Sequence, residues 1–314
     1  MRRMIPTLDP PSLPGGVLTQ FTMYRARGVA ALAATVLVLG TLVAGCGRTT
    51  QAPVATKART FTTTRFDPRN FSAFPTRPNK WWPLIPSRQW IRDGTTLVGH
   101  RPVPHRIIAT VTNVWRVVDG MRAVAVFDQD IDTGQISQES LDYLAQDRQG
   151  NVWVVGAYTE LYDGGRFVTN QDAWLAGVGG GQAGILMPAD PLTRRTPWSI
   201  ARPPAADADV AEVVQRGVST CVPYGCFKNV LVIREGKASR FDNEFKYYAP
   251  GVGLIFNLPR SMSVHKDHEA VVNVIQLSQR GLAEMNAEAL RLDAHARTTK
   301  PSVFARSAAM VRVP

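Results

Sequence analysis

Residues 106–127 read RIIATVTNVWRVVDGMRAVAVF, and this stretch decides the fold. Two runs rich in β-branched residues flank Asp119-Gly120, a dipeptide that strongly favours a tight β-hairpin turn. Similar paired runs occur at residues 141–158, 161–168, 210–233 and 245–256. Short turns join antiparallel strands, and a long series of such strands hides its edges by curling. The sequence therefore predicts an all-β domain, an antiparallel meander curled into a barrel or half-barrel.

The remaining elements outline the domain organisation. Residues 279–297 have the apolar spacing of an amphipathic helix, whereas residues 298–314 have no such spacing and predict a frayed tail. We expect the β domain to cover residues 81–278 and the helix and tail to cover residues 279–314. Residues 177–204 are rich in glycine and proline, which predicts a surface loop or lid.

Residues 23–46 have the pattern of an export signal. A short basic segment precedes the mostly apolar residues 29–43, and Val43-Ala44-Gly45-Cys46 follows. This tetrapeptide resembles the lipobox of bacterial lipoproteins, which implies cleavage before Cys46 and lipid attachment to its thiol. The alternative is an uncleaved anchor, but the apolar run is shorter than the roughly 20 residues of a membrane span. Residues 1–45 are thus predicted to be a signal peptide.

The start of that signal peptide is open to a second interpretation. Residues 1–22 contain Asp9 and four prolines, which a basic leader does not need. Translation from Met23 would give a signal peptide of ordinary composition.

The positive charge of the chain lies near the predicted anchor. The whole chain has a net charge of +11, and residues 47–106 contain eleven Lys and Arg against two aspartates. Residues 46–80 are interpreted as a lipidated basic tether, with residues 47–106 attracting anionic lipid or wall polymer. The alternative is a linker whose charge serves only solubility. No basic stripe continues into residues 107–314, which argues against nucleic-acid binding.

Two cysteines are candidates for a disulfide. Cys221 and Cys226 flank Val222-Pro223-Tyr224-Gly225, a sequence suited to a tight turn. The cysteines would face each other across a hairpin, and an exported chain meets oxidising conditions. A redox-active pair is the alternative, although its usual setting is C-x-x-C at a helix N-terminus.

One acidic stretch partly matches a calcium-binding loop. Asp128, Asp130, Asp132 and Glu139 occupy the template positions, but the glycine that the template requires is displaced by one residue. In a strand the three aspartates would share one face. The alternative is a solvated hairpin tip at residues 132–134.

Other motifs give no cofactor site. His265 and His268 would point to opposite faces of a strand. The G-x-G-x-x-G at residues 179–184 is not followed by a helix, which excludes a dinucleotide fold. We therefore expect no cofactor, no resident metal beyond the calcium template and no catalytic constellation.

Five ordered stretches resemble a family of exported bacterial lipoproteins, notably actinobacterial ones. They are residues 66–71, 82–86, 145–153, 187–189 and 247–254. The chain departs from that pattern at Pro86-Ser87 and in the Cys221/Cys226 pair. The resemblance implies a lipoprotein with a β-rich domain on the extracytoplasmic face of the cell membrane. It implies no activity, so no functional residue is carried over.

Three functions compete at this point. The first is a binding module for an apolar envelope ligand, with Trp174, Leu175, Ile185 and Leu186 lining its mouth. The second is a structural or interaction protein in which the same four residues plug a filled core. The third is a hydrolase of envelope polymer, which no motif supports. A cavity separates the first two, and carboxylates of perturbed pKa in a cleft would favour the third.

Lipidation at Cys46 is tested by Cys46→Ala. Because one thiol would carry the lipid, we expect this variant to leave the membrane fraction almost completely. Fractionation of wild type and variant measures this, and mass spectrometry should place the mature N-terminus at Cys46. A variant that stays in the membrane at the wild-type level would show that another segment is the anchor.

Overall fold

The computed structural model describes residues 60–71, 77–239, 244–259 and 267–312. Cys46, the signal peptide and His265 lie outside these residues. The first seven strands are β1 (Arg88–Val98), β2 (Arg101–Val118), β3 (Met121–Asp132), β4 (Gln135–Gln146), β5 (Val152–Asp163), β6 (Arg166–Leu175) and β7 (Gln182–Met187). They are followed by β8 (Trp198–Arg202), β9 (Asp209–Val222), β10 (Gly225–Lys237), β11 (Glu244–Ala249), β12 (Gly253–Pro259) and β13 (His268–Gln276). The chain continues with α1 (Gln279–Thr299), α2 (Pro301–Phe304) and β14 (Val311–Arg312).

The strands form a closed antiparallel barrel. β1 pairs with β13 on one side and with β2 on the other, so the sheet returns to its starting strand. The closed path contains twelve strands in the order β1, β13, β12, β11, β10, β9, β8, β7, β5, β4, β3 and β2. β6 pairs with β5 and β14 with β2 outside this path. The predicted all-β fold with one C-terminal amphipathic helix is confirmed, and the sheet is a full barrel.

The hairpin predicted from residues 106–127 is present. Asp119 and Gly120 adopt φ values of 46° and 81°, the left-handed pair that a two-residue hairpin turn requires. The flanking residues Val118 and Met121 are directly paired. Asp-Gly suits this turn because glycine meets no steric penalty at positive φ, and aspartate tolerates it better than most residues.

The predicted lid between residues 177 and 204 is wrong in part. Two segments of it are the barrel strands β7 and β8, which pair with each other and with β5 and β9. A Cβ on Gly184 would lie 2.4 Å from the carbonyl oxygen of Ile200, so this glycine permits the close approach of the two strands. Glycine here serves strand packing, whereas the sequence interpretation assigned it to loop flexibility.

Helix α1 packs on the outer surface of β2, β3 and β4, α2 lies against β6, and β14 pairs with β2. The helix begins at the N-cap Ser278, and Ala289, Leu292 and Ala296 are fully buried. The tail is not frayed as expected, because α2 buries the Phe304 ring completely against the sheet. No helix among the described residues has both the length and the apolar character needed to cross a membrane.

Part of the segment assigned to the tether packs on the barrel. The backbone N–H of Thr62 donates to the carbonyl of Pro197 at 2.9 Å. The rings of Phe66 and Phe71 pack edge-on against Trp153 at centroid distances of 5.6 and 5.9 Å. Packed chain therefore begins N-terminal to the expected boundary at residue 81.

A buried ion pair joins the helix to the barrel and generates a stability prediction. Arg116, fully buried, donates to the carboxylate of Asp293. Arg116→Met leaves a buried unpaired carboxylate, so we expect the free energy of unfolding to fall by about 3–5 kcal/mol. The same change at Arg280, whose pairing with Glu284 is exposed, should cost at most about 0.5 kcal/mol. Urea titration measures both, and equal losses would contradict the assigned role of the buried pair.

Candidate binding cavity and acidic barrel interior

Side-chain alternation on β3 and β4 separates two environments. On the outer face, Glu139 of β4 binds Arg291 of the helix and the Tyr143 ring lies against Phe304. The opposite face, which points into the barrel, carries Asp128 of β3 and Asp142 of β4. Because directly paired residues share a face, the registers of these strands carry carboxylates along one inner wall.

A half-open cavity of about 580 Å³ lies between residues of β4, β5, β6 and β8 to β11. This volume falls within the range of roughly 300–1,000 Å³ that small-molecule sites occupy. Its apolar lining comes from Val154, Ala157, Trp174, Ile200, Ala201 and Pro203. Its charged lining comes from Asp142, Asp172, Asp209, Glu235, Glu244, Lys237 and Lys246. The interior is therefore incompletely filled and carries more acidic than basic groups.

The two lysines of the cavity are already engaged. Lys246 Nζ lies 2.7 Å from Glu235 and 3.6 Å from Glu244. Lys237 Nζ lies 2.7 Å from Asp209. Within the described part of the chain, neither Asp142 nor Asp172 forms an ion pair with a cationic side chain. These two carboxyl groups thus remain available to a ligand.

Burial changes the protonation of the inner carboxyl groups. Desolvation, reinforced by Asp128 and Asp172, raises the pKa of Asp142 to about 7, against a smaller opposing effect of Lys246. Desolvation also raises the pKa of Asp128 to about 6. Asp142 can therefore hold or release a proton near neutral pH.

The barrel beyond the cavity is more completely filled. Trp82, Trp90 and Leu254 pack there, beside Arg92 and Asp128, around a residual void of about 50 Å³. The indole N–H of Trp90 donates to the carbonyl of Val252 at 2.7 Å, in the turn between β11 and β12. Asp142 borders both this small void and the larger cavity.

A second polar cluster surrounds His105 on β2. Its Nδ1 lies 2.7 Å from the carboxylate of Asp132, and its Nε2 lies 3.8 Å from that of Asp267. Asp130 contributes a third group, and one ligand atom from each of His105, Asp130 and Asp267 lies within 4.8 Å of the other two. His105 Nε2 is buried and has no hydrogen-bond partner among the described residues. A buried imidazole nitrogen thus faces two carboxyl groups.

Neighbouring residues hold this cluster in place. Arg92 Nε lies 3.6 Å from Glu269, and Asn257 donates to the backbone carbonyl of Asp267 and to Glu269 at 3.3 and 3.2 Å. Gly94 pairs with both His105 and Glu269, and a Cβ there would lie 1.7 Å from the carbonyl oxygen of His268. The absence of a side chain on Gly94 lets β13 bring Asp267 close to β2.

The residues of the calcium template do not all come together. Asp128, Asp130 and Asp132 share the inner face of β3, as expected of a strand. Glu139 lies on the outer face, where Arg291 and Tyr162 bind its carboxylate. The pairing of Glu139 with Gln129 explains this, since residue 129 faces away from the three aspartates. The hairpin tip forms at Thr133 and Gly134.

Other candidate residues lie away from the cavity or at its border. Cys221 and Cys226 are joined by a disulfide at the turn between β9 and β10. Leu175 and Ile185 belong to the apolar core, whereas the buried Trp174 borders the cavity. These positions match the plugging role more closely than a mouth lined by all four residues.

Sequence reasoning missed the residues that complete both clusters. His105, Arg92 and Lys246 stand on strands separated by up to 154 positions, and only closure of the barrel brings them together. One signal was present in the sequence, namely Asp128, Asp130 and Asp132 at alternate positions directly after an apolar strand. Such a run indicates an inner wall that is polar at one end.

Comparisons with known proteins give little further information. No family model matches the chain, and no curated protein matches it. A matching crystal structure belongs to a protein from Bacteroides fragilis NCTC 9343, described as exported and as having a YmcC-like fold. The two chains are 8% identical and superpose with a TM-score of 0.32, over 63% of this chain and 99% of the other. Likeness at this level does not bear on function.

The raised pKa of Asp142 predicts an unusual dependence of stability on pH. The folded chain keeps a proton that the unfolded chain loses above about pH 4, so this group stabilises the fold less as the pH rises through 7. One pKa unit corresponds to about 1.4 kcal/mol, so we expect a loss of at least about 1 kcal/mol between pH 5 and 8 from this group.

Asp142→Asn tests that prediction, because it keeps the shape and removes the titration. Its free energy of unfolding in urea should fall less from pH 5 to pH 8 than that of the wild type. Asp163→Asn, at an exposed turn position, is the matched control and should follow the wild type. Parallel curves for wild type and Asp142→Asn would contradict the buried, protonated state of this carboxyl group.

Proposed function

We propose that this chain is an exported, lipid-anchored binding module of the bacterial cell envelope, and that its barrel holds a small polar ligand with positive charge. The cavity of about 580 Å³, with two carboxyl groups that pair with no cationic side chain of the described residues, is the observation that carries this proposal. Export and anchoring rest on the pattern of residues 23–46. The cavity argues against the alternative of a structural protein with a filled core.

The expected apolar ligand does not match the lining. An acyl chain would bury Asp142 and Asp172 without partners, and burying a polar group without a hydrogen bond costs several kcal/mol. A ligand with ammonium or amide N–H groups would instead donate to these carboxyl groups. The apolar surface of Trp174 and Ile200 would then contact the ligand's carbon skeleton. The chemistry of the cavity therefore favours a cation over a lipid tail.

Spermidine, a small flexible polycation, and oleate are suitable probes for this test. A ligand that binds only the folded chain stabilises it by about 2.7 kcal/mol at one hundred times its dissociation constant. We expect spermidine to raise the melting temperature of the full-length chain in detergent, and oleate to leave it unchanged. The net positive charge of the chain disfavours non-specific binding of a polyamine.

The double variant Asp142→Asn, Asp172→Asn should lose the shift caused by spermidine. Residue 172 has a φ of 44°, which asparagine tolerates, so the change removes charge without straining the backbone. Asp163→Asn together with Asp190→Asn removes the same charge at exposed positions and should keep the shift. A shift with oleate alone would overturn the polar-ligand proposal, and an equal spermidine shift in both double variants would overturn the site.

A hydrolase of envelope polymer is the second candidate function. It is favoured by Asp142, a carboxyl group with a pKa of about 7 beside Asp172 and Asp209, since paired carboxyl groups of different pKa can act as general acid and base. Incubation with purified cell-wall polymer tests it. Soluble fragments released by the wild type but not by Asp142→Asn would favour the hydrolase over the binding module.

A further inference from the structure

We propose that His105, Asp130 and Asp267 bind a divalent transition-metal ion inside the barrel, with Zn²⁺ as the reference ion. This site is separate from the cavity lined by Asp142 and Asp172. The inference goes beyond the proposed binding function and does not depend on it.

The geometry of the three side chains carries the proposal. His105 is 5% exposed, and its Nε2 has no hydrogen-bond partner among the described residues although it faces two carboxyl groups. The three ligand atoms lie within 4.8 Å of one another, and Nε2 lies 3.8 Å from Asp267. Ligands of a tetrahedral zinc ion lie about 3.4 Å apart, since Zn–N and Zn–O bonds are about 2.1 Å long. A closure of at most about 1.4 Å therefore suffices.

A further carboxylate orients the imidazole. Asp132 lies 2.7 Å from Nδ1, which favours, in neutral His105, the tautomer with the proton on Nδ1 and the lone pair on Nε2. Metal-bound histidines almost always donate their other ring N–H to such a partner, which fixes the tautomer and strengthens the ligand. Asp132 is accordingly a positioning residue and not a ligand.

Local charge favours a cation at this position. The nearby guanidinium of Arg92 lies next to Glu269, whose carboxylate offsets its positive charge. Asp130 and Asp267 contribute two carboxyl groups beside His105, and Asp132 lies at its Nδ1. The described part of β1, β2, β3, β12 and β13 supplies no second cation to the three ligand atoms. A divalent ion would balance the carboxylates and use the unpartnered nitrogen.

The ligand set selects the class of metal. An imidazole with two carboxylates suits zinc and neighbouring transition metals, whereas calcium takes six to eight oxygen ligands. Three protein ligands also leave coordination positions for water or a further ligand. Of the four residues of the calcium template, only Asp130 is a ligand of this site. Glu139 lies on the outer face.

Calorimetric titration with Zn²⁺ tests the proposal. The sample is the full-length chain in detergent, treated beforehand with a chelator. We expect one ion to bind the wild type, Asp130→Asn to weaken binding at least about a hundredfold, and Asp132→Asn to weaken it about 10–100-fold. Glu139→Gln is the control and should bind as the wild type does, because its carboxylate is absent from the site. Equal affinity in Asp130→Asn and wild type would overturn the proposal.

X-ray absorption of the zinc-loaded wild type keeps the test decisive if a variant fails to fold. The expected first shell has one imidazole nitrogen with oxygen ligands and no sulfur. A shell with sulfur or with two or more imidazoles would place zinc elsewhere and overturn the proposal. Displacement of Zn²⁺ by an equal concentration of Ca²⁺ would also overturn it, since it would indicate an all-oxygen site.

Discussion

The antiparallel pairing of β1 with both β2 and β13 is the interaction on which the rest of the structure depends. It returns the sheet to its first strand and leaves no open edge within the barrel. The register of this closure determines which residues of each strand point into the barrel. His105 and Glu269 share the interior because both pair with Gly94 of β1.

Closure with twelve strands has an electrostatic consequence. A barrel of this size encloses more space than its side chains fill, and the space left over is lined by carboxyl groups. Unpaired charge is unfavourable in such a cavity. Desolvation raises the pKa of Asp142, and Lys237 and Lys246 form ion pairs with neighbouring carboxylates. The acidic interior contrasts with the net positive charge of the chain, and Arg92, one of the basic groups of residues 47–106, lies inside the barrel beside Glu269.

The features that could be predicted from the sequence are those encoded by neighbouring residues. Asp119-Gly120 between β-branched runs predicted a hairpin, and the apolar spacing of residues 279–297 predicted the helix that the structure shows. The strands β7 and β8 were missed because Gly184 and nearby prolines resemble loop residues, although that glycine permits strand packing. His105 was missed because its partners lie on strands distant in sequence, and only barrel closure brings Asp267 beside it. The aspartates of β3 were noticed as a group, but their environment depends on which face turns inward.

Prediction of function was likewise possible where a local sequence pattern encodes it, and not where residues distant in sequence must come together. The export signal is a local pattern, so residues 23–46 suffice to predict it. The ligand is a property of the cavity, where the half-buried Asp142, the exposed Asp172 and the buried Trp174 meet only after folding. The apolar ligand was expected from many short strands, one amphipathic helix and the Gly/Pro-rich residues 177–204, but two parts of that segment are barrel strands.

The central claim is that the closed barrel contains a polar cavity open to a ligand. A crystal structure of the chain that resolves ordered water tests this claim most directly. We predict that β1 pairs with both β2 and β13, and that water or a polar ligand in the cavity is hydrogen-bonded to Asp142 on the inner wall and to Asp172 at the exposed border. An interior filled by side chains at these two residues, or a β1 strand unpaired from β13, would contradict it.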